Sequence, residues 1–521
     1  MLVIAFKPGH DGAVAVVDNG SLVVSLESEK DSFARHSVLT PSTLLAATEC
    51  AGGVPDVVAL GGWMKARALG HPLIGAGYIG AHGLHRRKMS FLGKEATLFT
   101  STHDRSHIMM GIGMAPRDDA DLRAVLVWEG TTGSFYLVDD KWEVTREVKV
   151  MDSPGVRFAF VYALADPTFG DNLPVPRLED SGKLMALAAF RKPADADRDV
   201  AETVERILSE RSMVPSPKAR FRDSPLYNAG VESDATKAAA ALMTQRIFEI
   251  FAASAREHMP RDIPLHISGG CGLNCDWNHM WRELGHFSSV FVPPCTNDAG
   301  SALGTAIDAI VSLGGEPWIE WDVYSGLEFD FDSDPDPERW ERRPLRLDGI
   351  ADVLAGGSVV AWIQGRWEIG PRALGNRSLL AEPFDPRTRE RLNELKQREG
   401  YRPIAPCCRV EDLGELFEED FEDPYMLYFR NVRSPRLGAV THVDGSARCQ
   451  TVSRNDNRVL HDLLSAFAER SGAGILCNTS LNFKGFGFIN RMSDLAKYCE
   501  DRGVPHFVVG DSWFSRREDL A

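Results

Sequence analysis

The chain has 521 residues, and 58 Lys plus Arg against 74 Asp plus Glu leave a formal net charge of -16. That balance excludes a protein whose affinity comes from coating a polyanion, although local basic clusters can still grip small phosphates. At 44% hydrophobic and 25% charged residues the composition is that of a folded globular protein, with room for about two to four domains.

Leu2 to Phe6 reads as a buried strand, followed by the loop KPGHDG, a strand Ala13 to Val17, the turn Asp18-Asn19-Gly20 and a strand Leu22 to Leu26. MLVIAFKPGHDG lacks a basic segment and a cleavage site, so no leader is expected. No later apolar run approaches the ~18 residues of a membrane span, which points to a cytoplasmic protein with no membrane partner. Two further strands run into glycines, VLVWEGTTGS at 125–134 and LHISGGCGLN at 265–274, where small residues let backbone amides approach a nucleotide. The stretch 151–235 suits an insertion or lid. A helix is expected from Thr236 to Met259, with Met243, Ile247, Ile250 and Phe251 on one core-facing stripe.

Near Phe329 the chain turns to FDFDSDPDPERWERRPLRLDG, a charged, proline-containing stretch that suits a linker. The expected domains are therefore 1–330 and 346–521, with a linker at 331–345. Beyond it come a strand Val359 to Ile363, a Gly/Arg-rich loop, and a strand Gly474 to Cys477 entering NTSLN. No internal repeat is visible. Nine cysteines, an odd number with no paired C-x-x-C knuckle for zinc, point to a reducing compartment.

His103 and His107 in STHDRSH stand four apart, so on a helix they share one face and can hold one metal ion. Glu129 and Asp298 are loop carboxylates beside small residues, fit to complete such a site. Taken singly, each of the four reads equally as a structural, turn or cap residue. His10 in the first glycine loop has the pKa range to take a proton from a hydroxyl, or simply bonds the backbone. In GRWEIGPRALGNRSLL at 365–380, Arg366, Arg372 and Arg377 sit among glycines 365, 370 and 375. Arginine forks bind phosphate bidentately and glycines let the backbone close around it. Lys396 and Arg402 in KQREGYRPIAP and Arg448 in HVDGSARCQTV fit the same anionic pocket, and Asn478, Ser480 and Asn482 add polar groups at a strand end.

GRWEIGPRALGNRS, KQREGYRPIAP, HVDGSARCQTV and NTSLNFKG closely resemble, in order, the motifs of the nodulation and tobramycin type O-carbamoyltransferases. GHDGAVAVVDNG, the HxxxH pair, SGGCGLNC and NDAGSALGTA resemble the amino-terminal half of that family. The resemblance implies an α/β protein with an actin-like ATPase-fold domain, akin to the universal tRNA threonylcarbamoyl-transfer proteins, followed by a YrdC-like domain. It implies that the second domain makes carbamoyladenylate from ATP and carbamoyl phosphate through Arg372, Lys396, Arg402, Arg448 and Ser480. Arg366, Asn478 and Asn482 join that nucleotide pocket. It implies that the first domain holds a divalent metal, iron in this family or else magnesium, on His103, His107, Asp298 and Glu129. Asn274 and the Gly269-Gly270 turn would face the nucleotide, and the carbamoyl group would pass to a small-molecule hydroxyl with His10 as base.

Three departures stand out. The family usually carries HHLAH where this chain has HDRSH, an aspartate where it has Glu129, and two arginines with a Lys-His pair where it has ESEKDSFARHS. The opening and the SLESEKDSFARHS segment most resemble the members that modify the hydroxymethyl group of a cephem antibiotic. Two rivals share parts of this pattern: a tRNA threonylcarbamoyl-type transferase, against which the net charge speaks, and a non-enzymatic nucleotide-binding switch of the actin-like fold.

Overall fold

The computed structural model describes residues 1–32, 34–62 and 76–517, so Phe33 of ESEKDSFARHS lies outside the described residues. Its first sheet comprises β1 (Leu2–Lys7), β2 (Ala13–Asp18), β3 (Ser21–Glu27), β4 (Val57–Gly61), β5 (Leu84–Phe91) and β6 (Lys94–Ser101), in the order β3-β2-β1-β4-β6-β5. The second comprises β7 (Leu122–Trp128), β8 (Thr132–Asp139), β9 (Val144–Asp152), β10 (Pro264–Ser268) and β11 (Ser289–Phe291), in the order β11-β10-β7-β8-β9. In both sheets an antiparallel three-strand meander is followed by a parallel neighbour of its first strand, β4 beside β1 and β10 beside β7. This repeat of β3-β2-β1-β4 as β9-β8-β7-β10 is invisible in the residues, and it accords with the actin-like expectation.

The third sheet is built from β12 (Trp340–Pro344), β13 (Val360–Ile363), β14 (Arg377–Ala381), β15 (Ala405–Arg409), β18 (Gln450–Val452), β19 (Ile475–Ser480), β20 (His506–Val509) and β21 (Ser512–Arg516). Between β15 and β18, β16 (Arg430–Asn431) and β17 (Ser446–Ala447) form a separate ribbon. Every residue of β13 is buried, Ala361 and Ile363 in the hydrophobic cluster of one face and Val360 and Trp362 in that of the other. A strand covered on both faces carries a continuous apolar run, which is why VAWI stands out in the sequence.

The α/β class holds, but the boundary reading needs correction. Residues 340–344 of the expected linker are β12, paired antiparallel to β21 at the sheet edge. Only Trp340 is buried, while Arg342 lies over Phe514 and Arg343 over Trp513. A charged edge strand blunts unwanted pairing and has the composition of a linker. The chain forms two compact units, one of Met1–Trp63, Arg86–Phe99 and Ile319–Ala521, the other of Met64–His85 and Thr100–Trp318. The stretch 151–235 is largely helical. Its helices Pro154–Ala165, Ser181–Ala188 and Arg198–Ser209 pack against the helix Asp234–His258, which matches the expected 236–259 within two residues. No disulfide joins the cysteines among the described residues, eight of which are buried.

Within the second unit the helix His103–Gly113 packs on the helix Ser301–Ser312 so closely that a Cβ on Gly304 would lie 1.7 Å from the Ser106 carbonyl oxygen. Arg105 closes the pair with a bidentate bond to Asp308, at 2.9 and 2.6 Å. Gly304→Ala is therefore expected to force the helices apart and cost at least about 1 to 3 kcal/mol. Denaturant melts check this, and an unchanged midpoint would contradict the packing.

Candidate metal centre and anion pocket

In the second unit, Thr102 caps the helix His103–Gly113, whose first and fifth residues present both imidazoles on one face. His103 Nε2 and His107 Nε2 lie 3.2 Å apart, and Asp298 Oδ1 sits 3.4 Å from the first and 3.3 Å from the second. Glu129 Oε1, after β7, is 3.5 Å from His107 Nε2. Ligand atoms of the four residues all fall within 4.8 Å of one another. Burial is nearly complete, at 0% exposure for His107, 3% for Asp298 and 4% for His103.

The donor set fits a cation. Two facing imidazole nitrogens can share at most one proton, and two carboxylates withdrawn from water need a positive partner. Burial, and then the neighbouring His103, hold the His107 imidazole below its ordinary pKa, favouring the neutral ligand form despite Asp298. His107 Nδ1 lies 2.9 Å from Ser268 Oγ at the end of β10, a hydrogen bond that fixes the ring orientation with Nε2 toward the cluster. Glu129 also organises the glycine turn, since Oε1 accepts from Gly270 N at 2.7 Å. Gly269 has φ 108°, and a Cβ there would meet Trp128 O at 2.5 Å and Glu129 Oε1 at 2.6 Å. Asn274 spends Oδ1 capping the next helix through Asp276 N and Trp277 N, while its buried Nδ2 has no partner among the described residues. A ligand facing this turn would meet an amide donor.

In the first unit, His10 is more than half exposed and its Nδ1 lies 3.0 Å from Asp11 Oδ2. Asp11 Oδ1 lies 2.8 Å from His36 Nδ1, so one carboxylate bridges two histidines.

The Gly/Arg loop differs from its sequence reading. Its amides serve two carboxylates of the chain itself: Glu368 Oε1 accepts from Leu374, Asn376 and Arg377 N at 2.7 to 3.2 Å, and Glu27 Oε1 accepts from Gly370 N. Lys30, buried with Glu27, donates to the carbonyls of Glu368 and Gly370. The glycine spacing answers to backbone geometry, with φ of 31°, 84° and 108° at Gly365, Gly370 and Gly375. Arg366 and Arg377 are braces. Arg366 donates to the carbonyls of Gly326, Val23 and Ser325, and Arg377 to those of Gln364, Gly365 and Asn376 and to Asn490 Oδ1. Burial draws the Arg377 guanidinium down to about 10. Arg372 stands half-buried in this stitched stretch.

Lys396 closes the helix Pro386–Leu395 and reaches the end of β19, donating to Ser480 O, Ser480 Oγ, Asn482 O and Asn482 Oδ1. Burial, followed by Arg398, Arg35, Arg402 and Arg502, holds its ammonium well below the usual lysine range. Arg398 falls to about 9 through burial and then Arg402 and Arg448. The mutual repulsion of these buried cations would be relieved by an anion placed among them. Asn478 instead donates to Ala373 O and Gln450 Oε1, tying β19 to the Gly/Arg loop. Sequence reasoning missed Ser268, Glu368, Glu27, Lys30 and Arg398. All five lie in stretches quoted above, Arg398 in KQREGYRPIAP, Glu368 in GRWEIGPRALGNRSLL, Glu27 and Lys30 in ESEKDSFARHS and Ser268 in LHISGGCGLN, but no spacing marks them out there.

The family model described as Carbamoyltransferase N-terminus matches residues 84–307, and the one described as Carbamoyltransferase C-terminus matches residues 351–516. The chain is 62% identical over 519 residues to the 3'-hydroxymethylcephem-O-carbamoyltransferase of Amycolatopsis lactamdurans, covering 99% of this chain and 100% of that one. It is also 62% identical to the protein of the same name from Streptomyces clavuligerus, covering 99% of each. Nodulation protein U of Sinorhizobium fredii is 31% identical, over 97% of each.

Proposed function

The chain belongs to the carbamoyltransferase family, and from that premise we propose that it moves the carbamoyl group of carbamoyl phosphate, with ATP, onto the hydroxymethyl group of a cephem. The observation that carries this reading is full-length 62% identity to two relatives whose names state that acceptor. The chemistry divides into activation and transfer. In activation, carbamoyl phosphate loses its phosphate to water, and the carbamate oxygen attacks the α-phosphorus of ATP and expels pyrophosphate. The adenylate formed offers a nucleotide handle whose binding energy can position the carbonyl. Lys396, Arg398, Arg402 and Arg448 neutralise the phosphates, and Ser480 orients the carbamoyl end.

In transfer, the acceptor hydroxyl oxygen attacks the carbamoyl carbon of the adenylate, the bond from that carbon to the phosphate oxygen breaks and AMP leaves, while His10, its Nδ1 paired with Asp11, accepts the hydroxyl proton. Asn274 and the Gly270 turn hold the nucleotide. A divalent cation on His103, His107, Asp298 and Glu129 would supply Lewis-acid stabilisation of anionic oxygens, and the two imidazoles favour a transition metal such as iron over magnesium. In this scheme His10, Asn274 and the four metal-site residues serve transfer, the pocket of Lys396, Arg402, Arg448 and Ser480 serves activation, and the acidic chain takes no nucleic-acid partner.

The test omits the acceptor. ATP with carbamoyl phosphate is expected to release pyrophosphate and phosphate, whereas ADP as the nucleotide product would defeat the adenylate scheme.

A further inference from the structure

We infer that Tyr78 is a positioning residue that orients His103 toward the metal centre, standing in for the hydrogen bond that orients His107. The inference rests on reading His103, His107, Glu129 and Asp298 as that centre. The two histidines are supported differently. His107 has Ser268 Oγ at 2.9 Å from Nδ1, whereas His103 Nδ1 is buried with no hydrogen-bond partner among the described residues. Metal-binding imidazoles ordinarily use the second nitrogen to fix the ring plane and the proton position. His103 has a stacked ring in that place: the Tyr78 phenol lies 4.6 Å away, centroid to centroid, at 14° to the imidazole plane.

Stacking fixes the plane of the imidazole, and of its two flips only one turns Nε2 to the 3.2 Å approach to His107 and the 3.4 Å approach to Asp298. The phenol can do this because its backbone is anchored to the start of the histidine helix. His103 N donates to Tyr78 O at 2.8 Å, Gly80 N donates to Asp104 Oδ2 at 2.7 Å, and Thr102 N donates to Gly83 O at 3.1 Å. A Cβ on Gly83 would lie 2.6 Å from Thr102 Cγ2, so the Gly83 backbone packs directly against the Thr102 methyl group. Asp104, which departs from the family's usual HHLAH, is one of the side chains that tie the tyrosine loop down, beside Thr102, whose Oγ1 donates to Gly80 O, and Arg105, which donates to Ala81 O.

The test strips the full-length protein of metal with a chelator and titrates it with cobalt(II), reading visible absorption. Tyr78→Leu is expected to weaken cobalt(II) binding by about ten- to a hundredfold, the usual effect of losing an outer-shell partner. Tyr78→Phe keeps the stacked ring and is expected to stay within about twofold of the wild type. Equal binding by Tyr78→Leu and the wild type overturns the role of Tyr78 alone, as does a Tyr78→Phe loss as large as that of Tyr78→Leu, which would assign the work to the hydroxyl. A wild type that takes up no cobalt(II) overturns the metal reading and the inference with it. Should Tyr78→Leu fold poorly, Tyr78→Met removes the flat ring while a longer flexible side chain fills its space. It is expected to weaken cobalt(II) binding in the same direction, and unchanged affinity there overturns the inference.

Discussion

His107→Ala is expected to abolish carbamoyl transfer while leaving pyrophosphate release from ATP and carbamoyl phosphate intact. The side chain is fully buried, and its Nε2 sits within 3.5 Å of His103, Asp298 and Glu129. Removing one of two imidazoles leaves the carboxylates without half of the neutral donors that hold their cation. Loss of Lewis-acid stabilisation worth several kcal/mol lowers transfer by at least about a hundredfold. Activation draws on Lys396, Arg398, Arg402, Arg448 and Ser480, none of which belongs to the same compact unit as His107. Assaying pyrophosphate and carbamoylated product in parallel, with a melt of the same sample, separates the outcomes. A folded variant that loses both partial reactions would contradict the division of labour.

The converse is expected of Lys396→Met, which should lower pyrophosphate release by about ten- to a hundredfold, the value of one charge-assisted hydrogen bond of about 1.5 to 3 kcal/mol. Product should return when preformed carbamoyladenylate is supplied. The electrostatics separate this from a folding defect. Arg398, Arg35, Arg402 and Arg502 all push against the Lys396 ammonium, so removing it relieves repulsion even as the carbonyls of Ser480 and Asn482 lose a donor. Melting temperature should therefore hold steady or rise while activation falls. A lower melting temperature with unaltered activation would make Lys396 a structural strut, and failure with supplied adenylate would end its assignment to activation.

What could be read from residues alone followed from periodicity. β1, β2 and β3 appear within a residue or two of the expected spans, because short β-branched runs separated by Asp-Asn-Gly admit few alternatives. The HxxxH spacing places two nitrogens on one helix face, whereas Glu129 and Asp298 lie far off in sequence, where a loop carboxylate beside small residues is only a weak sign of a ligand and the family resemblance adds the link. Ser268 and Tyr78 left no mark, since orienting an imidazole asks for one hydroxyl or one ring with no fixed spacing.

The Gly/Arg loop was the most persuasive stretch and the most misleading in detail. Three arginines among regular glycines suggest a phosphate cradle, yet Glu368, buried at 0% exposure, takes the loop's amides and two of the arginines bond carbonyls. A glutamate between arginines reads as a solvated charge until the backbone shows it inside a nest of N–H groups. Strand order carries no residue signature, so the doubled β3-β2-β1-β4 pattern was out of reach. The edge strand β12 has the composition of a linker because an exposed strand and a linker need the same polar residues.

Carbamoyl transfer to the cephem is measured by incubating the purified protein with ATP, carbamoyl phosphate and a 3'-hydroxymethylcephem and following the cephem by mass spectrometry. A mass gain of one carbamoyl group on the hydroxymethyl oxygen is expected, dependent on both ATP and carbamoyl phosphate. An unmodified cephem, in a sample that still releases pyrophosphate from ATP, would contradict the acceptor. An unmodified cephem with no pyrophosphate released would contradict the reaction itself.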